Sequence, residues 1–253
     1  MYRDGRVGVS LEVIGCADAF GSGGRFQSCF LVTTEGEQVL VDCGASAPVA
    51  LQQRNVALPA IGLVLLTHLH GDHFGGVPFL LLDAAYNRPR QAALVMAGPP
   101  TVESRIFDTL ERLFPGTPDR VRERVPIEFV ELEAARETRL GGVAVTPYPV
   151  PHPSGAPSYA LRVALGGKVL AFSGDAAWDP NLIAVSRDAD LFLCECTGYR
   201  TPVPWHLTLD DLRTHAHELT ARRILLTHLG QDMLQHMNEA PWPCARDGEV
   251  VEV

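Results

Sequence analysis

A short segment of the chain concentrates side chains that bind metal ions. Three imidazoles and one carboxylate fall within six positions, at His68, His70, Asp72 and His73. The segment follows an apolar run, 61–66, that predicts a buried strand, and alternate residues of an extended chain point the same way. The two histidines of the H-x-H step can therefore meet at one point, while Gly71 permits a turn that directs Asp72 and His73 to a second point. This ligand set predicts a site for zinc or a similar first-row metal.

Three further metal-binding residues follow predicted strands elsewhere in the chain, at His152, Asp175 and His228. Each of them alone would be more typical of a polar strand end than of a metal ligand. Because they add to a cluster that already has the composition of a metal site, they predict a convergent site at one edge of the strands. Three histidines within or beside helical patterns are instead predicted to be solvated surface residues, at His215, His217 and His236.

The composition is that of an ordinary globular protein with an acidic balance. Of the 253 residues, 46% are apolar and 20% are charged, and the formal net charge is −9. The sequence has no basic run, which excludes the electrostatic pattern of a general nucleic-acid binder, whereas a bound metal would still attract a small anionic ester. No apolar run is long enough to span a bilayer, and residues 1–6 do not lead into the apolar core of a secretion signal. We therefore expect a cytoplasmic location and no membrane partner.

Six cysteines lie mostly in apolar, strand-like segments, which predicts buried thiols in a reducing cytosol. The sequence Cys194-Glu195-Cys196 leaves open a second interpretation, a pair of thiolate ligands. The glycine-rich segment 21–24 is not followed by a helical pattern, which disfavours a phosphate-binding loop. That segment is predicted either to line a pocket mouth or to form a simple turn.

The predicted elements alternate between strands and helices. The segment 7–14 predicts an edge strand, and 28–33 with 38–41 predicts a hairpin around Glu35-Gly36. A helix is predicted to begin at Val77-Pro78, with further helices over 101–114 and 208–220. Later strands are predicted over 92–96, 127–132, 143–150, 158–163, 168–172, 191–194, 223–226 and 249–253.

Both halves of the chain follow one plan. Each has strands, then an apolar strand that ends in Thr-His-Leu, at 67–69 and 227–229, and then a helix. The chain has no linker-like segment and no short repeat, so we predict a single domain over residues 1–253. Its fold class is predicted as α/β, with a sheet core inside and helices outside, and with approximate two-fold internal organisation.

The complete set of candidate ligands resembles that of the metallo-β-lactamase superfamily. The resemblance implies an αββα four-layer sandwich, in which two mixed β-sheets are flanked by helices and two divalent metal ions lie at one edge. It implies that one ion takes His68, His70 and His152, that the other takes Asp72, His73 and His228, and that Asp175 bridges them. Zinc is the expected metal, and manganese or iron also fits. Asp42, in Val41-Asp42-Cys43-Gly44, matches the early aspartate that supports the metal loop without being a ligand.

A narrower resemblance is to the branch that contains ribonuclease Z and its small phosphodiesterase and arylsulfatase-like relatives. Glu195 and the His206-Leu207-Thr208 element match two features of that branch, in which homodimers are usual. The resemblance implies that Asp72 and Asp175 orient a metal-activated hydroxide. It also implies that Glu195 orients His206, which protonates the leaving oxygen. The alternative interpretation is that the pair has only a structural role, in which Glu195 binds backbone groups at a strand end and His206 caps the next helix.

One departure from that branch concerns tRNA. Ribonuclease Z carries a tRNA-binding arm between its third metal histidine and its bridging aspartate, but here His152 and Asp175 are only 23 positions apart (175 minus 152). Two predicted strands fill that interval, so tRNA is not an expected partner. The segment 74–151 contains extra helix and is predicted to shape the substrate pocket.

The function predicted from the sequence is metal-dependent hydrolysis of a small phosphate diester. Sulfatase, lactone or thioester hydrolase and β-lactam hydrolase chemistry at the same centre stay open as alternatives, because fold and metal site alone do not determine the substrate. A tRNA 3′-processing endonuclease and a non-catalytic metal-binding protein are the remaining alternatives. The second of these is disfavoured because all seven ligand positions are filled.

Overall fold

The computed structural model describes residues 8–253, so Val7, which belongs to the predicted first strand, lies outside the described residues. Within that range the chain forms thirteen strands. In chain order they are β1 (Ser10–Gly15), β2 (Cys29–Thr34), β3 (Glu37–Val41), β4 (Leu63–Leu65), β5 (Leu94–Gly98), β6 (Ile127–Glu131), β7 (Thr138–Leu140), β8 (Val143–Val150), β9 (Ser158–Leu165), β10 (Lys168–Phe172), β11 (Leu191–Glu195), β12 (Ile224–Thr227) and β13 (Val250–Glu252).

Eight α-helices lie in the same described range. They are α1 (Ala47–Gln53), α2 (Gly71–Phe74), α3 (Val77–Tyr86), α4 (Val102–Leu113), α5 (Pro118–Arg124), α6 (Asn181–Ser186), α7 (Leu209–His215) and α8 (Gln231–Gln235). None of the helices in 8–253 has the length and apolar character needed to cross a membrane.

The strands form two mixed sheets. The first has the order β13-β1-β2-β3-β4-β5-β6, and its pairing is antiparallel from β13 to β3 and parallel from β3 to β6. The second has the order β12-β11-β10-β9-β8-β7, and its pairing is parallel from β12 to β10 and antiparallel from β10 to β7.

Three apolar layers hold the two sheets and the helices together. The layer between the sheets contains buried side chains of both, among them Leu11, Val32, Leu161, Val163 and Leu193. A second layer packs α1, α3, α4 and α5 against the outer face of the first sheet. A third layer packs α6, α7 and α8 against the outer face of the second sheet. The arrangement is an αββα four-layer sandwich, so the predicted fold class is confirmed.

Local sequence explains most of these elements. In α4, Val102, Ile106 and Leu110 recur every four residues and are fully buried, as expected for one face of a helix that packs on a sheet. In β4 and β11 every residue is apolar or buried, because parallel strands inside a sandwich are covered on both faces. The predicted hairpin is confirmed as β2 and β3, and Gly36 in its turn has a φ of 93° that favours glycine.

Two details of the predicted strands are wrong. The first strand is not at an edge, because β13 pairs with its free side, with Leu11 opposite Val251. The strand predicted over 61–66 is shorter, since β4 ends at Leu65. His68 and His70 therefore lie in a loop after β4 and not on the strand itself, although His70 keeps an extended backbone with a φ of −87° and a ψ of 152°.

The topology places the carboxyl ends of six strands at one edge of the sandwich. In the first sheet β3 and β4 run parallel, so Asp42 and the loop after Leu65 lie side by side, and the Asp42 N–H donates to the Leu65 carbonyl at 2.8 Å. In the second sheet β8, β10, β11 and β12 all run in one direction. A hydrogen bond of 3.0 Å from the Tyr159 N–H to the Thr67 carbonyl joins the two sheets at this edge. Every residue predicted to bind metal follows one of these strand ends.

Replacing Leu161 by Ala tests the layer between the sheets. Leu161 is 0% exposed, so its removal leaves a cavity, and we expect the free energy of unfolding to fall by about 2–5 kcal/mol. Urea denaturation at constant metal content measures this. Leu113→Ala removes the same atoms from a side chain that is 48% exposed and should cost less than about 1 kcal/mol. Equal losses in the two variants would contradict the assignment of this layer as the core.

Candidate metal centre

The loop from Thr67 to His73 is held in place by Asp42. The Asp42 backbone has a φ of 58°, a left-handed conformation that turns the chain sharply at the end of β3. Its carboxylate accepts hydrogen bonds from the Thr67 N–H at 2.8 Å, the Thr67 hydroxyl at 2.9 Å and the His73 Nδ1–H at 2.7 Å. Asp42 thus ties the start of the loop to its end, which is the supporting position predicted for it.

The first group of candidate ligands is His68, His70 and His152, whose ligand atoms lie within 4.8 Å of one another. The Nδ1 of His70 and the Nε2 of His152 are 3.0 Å apart. The His152 Nδ1–H donates to the Trp205 carbonyl at 3.0 Å, and the Ser158 hydroxyl donates to the His152 carbonyl at 2.7 Å. These two contacts hold the His152 ring with its Nε2 atom toward the other two imidazoles.

The second group is Asp72, His73, Asp175 and His228, again within 4.8 Å. The Nε2 of His228 is 3.3 Å from an oxygen of Asp72 and 3.3 Å from an oxygen of Asp175. Asp175 also reaches the first group, since its Oδ2 atom is 3.7 Å from the Nε2 of His68 and 3.7 Å from that of His152. Its carboxylate therefore lies between the two groups, the position predicted for a bridging ligand.

Two threonine hydroxyls, which the sequence analysis did not single out, orient two of these histidines. The Thr67 hydroxyl donates to Asp42 and lies 3.1 Å from the Nδ1 of His68. The Thr197 hydroxyl donates to Glu195 at 2.7 Å and lies 2.9 Å from the Nδ1 of His228. Because each hydroxyl proton goes to a carboxylate, each oxygen accepts from the neighbouring Nδ1–H, which leaves the Nε2 lone pair facing the site.

Unpartnered atoms show that these residues fit metal ions. The Nε2 atoms of His68 and His73 and the Oδ1 atom of Asp175 are buried and make no hydrogen bond to any described residue. Such atoms are costly in a protein interior unless they have a partner. The closest pairs of ligand atoms in the two groups are 3.0 to 3.7 Å apart. Two ligands that are each about 2.1 Å from a tetrahedral zinc ion would lie about 3.4 Å apart.

The electrostatics of the site also favour bound cations. Burial lowers the pKa of His68 well below its ordinary value. Burial also acts to lower the pKa of His73, but three nearby carboxylates, led by that of Asp175, outweigh it and hold this pKa well above its ordinary value. For His228, burial is again outweighed by Asp175, and the pKa rises to about 9. The same buried carboxylates that raise the pKa values of His73 and His228 would also attract a bound cation.

Glu195 and His206 adjoin the two ligand groups. Glu195 is 1% exposed, and its carboxylate accepts from the His206 Nδ1–H at 3.0 Å and from the Ala176 N–H at 2.7 Å. A ring nitrogen of His206 lies within 4.8 Å of the ligand atoms of His152 and Asp175. Burial acts to lower the pKa of His206, but the hydrogen bond that its Nδ1–H donates to the Glu195 carboxylate more than offsets this, so the pKa is raised. The helix that follows is capped by Thr208 and not by His206, through reciprocal hydrogen bonds with Asp211.

Other residues considered from the sequence lie outside the site. Cys194 and Cys196 are buried in the apolar layer beneath the second sheet's helices and do not join the metal-binding groups. His215 is partly exposed, with 29% of its side chain open to solvent, and its ring stacks on Trp178 with centroids 3.8 Å apart. His236 likewise stacks on Tyr199, at 4.0 Å, whereas His217 is exposed as predicted.

Two segments have definite positions: 74–151, which was predicted to shape the pocket, and the glycine-rich segment 21–24, which was predicted either to line a pocket mouth or to form a simple turn. From the segment 74–151, the guanidinium of Arg105 in α4 lies against Gly155, in the loop that follows His152. The glycine-rich segment forms a short 3₁₀ turn, Ser22–Gly24. The carboxylate of Asp18 accepts from the Ser22 N–H at 2.9 Å and from the Ser22 hydroxyl at 2.7 Å, so this turn is built around an aspartate and not around a phosphate.

The sandwich and the ligand groups at its edge define a metallo-β-lactamase-fold protein. The solved structure of the metallo-β-lactamase fold protein YhfI from Bacillus subtilis superposes with a TM-score of 0.78 at 21% identity, covering 98% of this chain and 100% of that one. The family model described as anti-Pycsar protein Apyc1 matches residues 9–242, and the chain therefore belongs to that family.

Two further comparisons agree with this placement. The anti-Pycsar protein Apyc1 of Bacillus phage BSP38 is 27% identical over 234 residues, which cover 88% of this chain and 90% of the phage protein. The short form of human tRNase Z has a TM-score of 0.76 at 22% identity, with 96% of this chain and 98% of that chain covered. The likeness at this identity is one of fold, and it confirms the expected metallo-β-lactamase fold.

Removing one candidate ligand should change the metal content. We expect the purified protein to bind two divalent ions per chain and His70→Ala to bind fewer than two, because the first group loses one of its three imidazoles. Elemental analysis after dialysis against zinc measures the content. His217→Ala, which removes an exposed imidazole, should keep two ions. Two tightly held ions in His70→Ala would contradict the assignment of the first group.

Proposed function

We propose that this protein is a metal-dependent phosphodiesterase that hydrolyses a small phosphate diester, of which a cyclic nucleotide is the favoured kind. The observation that carries the proposal is the hydrogen-bonded pair of Glu195 and His206 directly beside the two ligand groups. A buried carboxylate that orients an imidazole at a metal site is suited to proton transfer to a leaving alkoxide.

The residues that would hold two metal ions are His68, His70 and His152 for one, and Asp72, His73 and His228 for the other, with Asp175 shared between them. When bound, such ions would activate a water for attack and neutralise charge on the phosphoryl oxygens. The carboxylate of Asp72 belongs to the second group and lies 3.3 Å from the Nε2 of His228, where it would orient the attacking water.

His206 is the group that would protonate the leaving oxygen. Its Nδ1–H is taken by Glu195, so only its Nε2 atom is available to substrate, and that atom makes no hydrogen bond within residues 8–253. The raised pKa favours the protonated imidazolium near neutral pH, which is the form that a general acid needs. Glu195 fixes the ring orientation and stabilises the charge on it.

Several features support a small substrate over tRNA. The interval between His152 and Asp175 is filled by the hairpin of β9 and β10, which turns at Gly166-Gly167 and leaves no additional segment for an arm. The acidic net charge of −9 also disfavours a polyanion. The name of the family, anti-Pycsar protein, is consistent with degradation of a cyclic nucleotide. The homodimer and the cytoplasmic location expected from the sequence stay predictions.

A substrate screen tests the proposal. The metal-loaded protein is assayed with bis(4-nitrophenyl) phosphate, an aryl sulfate, a lactone and a β-lactam, and in parallel with a nucleoside 3′,5′-cyclic phosphate. We expect hydrolysis of both phosphate diesters, because the Glu195–His206 pair is placed to protonate an alkoxide or aryloxide leaving group. The His70→Ala variant should lose this activity, and His217→Ala should keep it.

Activity confined to the sulfate, the lactone or the β-lactam would overturn the phosphodiesterase proposal and keep the metal centre. A fully metal-loaded protein that hydrolyses none of the five compounds would favour the non-catalytic alternative.

His206→Ala separates proton transfer from metal binding. We expect kcat for the cyclic phosphate to fall by about 10²–10⁴-fold, because a general acid contributes that much to the rate. The metal content should stay at the wild-type value, since His206 is not needed by either ligand group. Loss of both ions together with activity would show that His206 is itself a ligand and would refute its separate role.

A further inference from the structure

Trp205 occupies an unusual position for a large apolar residue. Its side chain is 54% exposed and packs into none of the three apolar layers of the described chain. A single exposed aromatic residue is common on protein surfaces and proves nothing by itself. Its location is what matters, because Trp205 immediately precedes His206 and its carbonyl is bound by the imidazole of His152.

The backbone of Trp205 has a strained conformation that neighbouring hydrogen bonds hold in place. Its φ of 65° lies in the left-handed region, which a bulky residue rarely adopts unless its surroundings impose it. The 3.0 Å hydrogen bond from the His152 Nδ1–H to the Trp205 carbonyl provides one such constraint. The 3.1 Å bond from the His206 N–H to the Val203 carbonyl provides another. Trp205 therefore has a defined place between a candidate ligand and the candidate general acid.

The loop that carries Trp205 is also stiff. Its sequence is Thr201-Pro202-Val203-Pro204-Trp205, and each proline ring restricts its own φ. A side chain on a stiff loop loses little conformational freedom when a ligand binds to it. The rings of His206 and His152 lie 4.9 Å apart, so the base of the indole side chain starts at the rim of the site itself.

We infer that Trp205 is a specificity-determining residue that stacks on the planar base of a nucleoside phosphate bound at the metal centre. This inference rests on the proposed function and names the part of the substrate away from the reacting phosphate. An indole face attracts any flat aromatic ring and needs no hydrogen bond to do so. An exposed indole at the rim of a candidate metal centre thus matches a ligand with a phosphate at one end and an aromatic ring at the other.

Two chromogenic diesters with one leaving group test the stacking. Thymidine 5′-(4-nitrophenyl) phosphate and methyl 4-nitrophenyl phosphate both release 4-nitrophenolate, but only the first keeps a base. For Trp205→Ala we expect KM for the thymidine ester to rise on the order of 10-fold, with kcat unchanged, because base stacking on an aromatic side chain is worth about that much. For the methyl ester kcat and KM should both stay within about 2-fold.

Substitutions at the same position separate the ring from the strained backbone. Trp205→Phe keeps an aromatic face and should retain most of the preference for the thymidine ester. Trp205→Gly should lose that preference like Trp205→Ala, but should melt at a higher temperature than Trp205→Ala because glycine adopts a positive φ freely. Tyr86→Ala is the matched control, since Tyr86 is also 54% exposed but lies at the far end of α3. Tyr86→Ala should leave kcat and KM unchanged for both esters.

A binding measurement keeps the inference testable without turnover. Calorimetry on the metal-loaded protein compares thymidine 5′-phosphate with inorganic phosphate, and Trp205→Ala should weaken only the first, on the order of 10-fold. If the wild type hydrolyses neither ester but shows this binding difference, the phosphodiesterase proposal fails and the stacking inference stands. If Trp205→Ala affects both esters and both ligands equally, or affects none, the stacking inference is wrong. If Trp205→Ala weakens activity on both esters equally and also lowers the metal content, Trp205 is a residue that only positions His152.

Discussion

The structure depends on one electrostatic constraint, which is that two carboxylates and five imidazoles share a small buried volume. Asp72 and Asp175 are almost inaccessible to solvent, and two imidazole nitrogens beside them, the Nε2 atoms of His68 and His73, have no hydrogen-bond partner in the described chain. Buried anions and unpartnered donors or acceptors are costly unless a cation or a proton compensates them. The surrounding hydrogen bonds from Asp42, Thr67 and Thr197 do not relieve this cost. They orient the imidazoles so that the Nε2 atoms of His68 and His228 face the centre of the site, where a bound cation would relieve this cost.

The sandwich topology brings these groups together from distant parts of the chain. One sheet supplies the loop after β4, and the other supplies single residues that follow β8, β10 and β12. Since all these strands end at the same edge, each ligand needs only a short extension beyond regular structure. The inter-sheet hydrogen bond from Tyr159 to Thr67 fixes the distance between the two contributions. Because the layers beneath are tightly packed, this edge can hold polar groups that would be unstable on a flexible surface.

The sequence predicts the parts of the molecule that depend on local patterns. The ligand motif, the hairpin, the amphipathic helix α4 and the four-layer class follow from spacing, periodicity and resemblance. Contacts between distant segments could not be read in this way. The strand β13 that pairs with β1 lies more than 230 residues further along the chain. A local pattern could not reveal this pairing, and β1 was therefore predicted to be an edge strand. The role of Thr197 requires three side chains to meet in space, and the stacking of His215 on Trp178 leaves no trace in a helical pattern. The short elements α5, α6 and β7 have too few residues for a clear period.

The spread of the ligands along the chain determines when the site can form during synthesis. His228 is added 155 residues after His73 (228 minus 73), an interval of about 8–30 s at ordinary elongation rates. Throughout that interval the nascent chain displays the early histidines without the second sheet that completes and encloses them. The first sheet is also incomplete, because β1 waits for β13. The candidate metal site can therefore close only at a late stage of folding, and a stalled chain would expose its early candidate ligands before the others are in place.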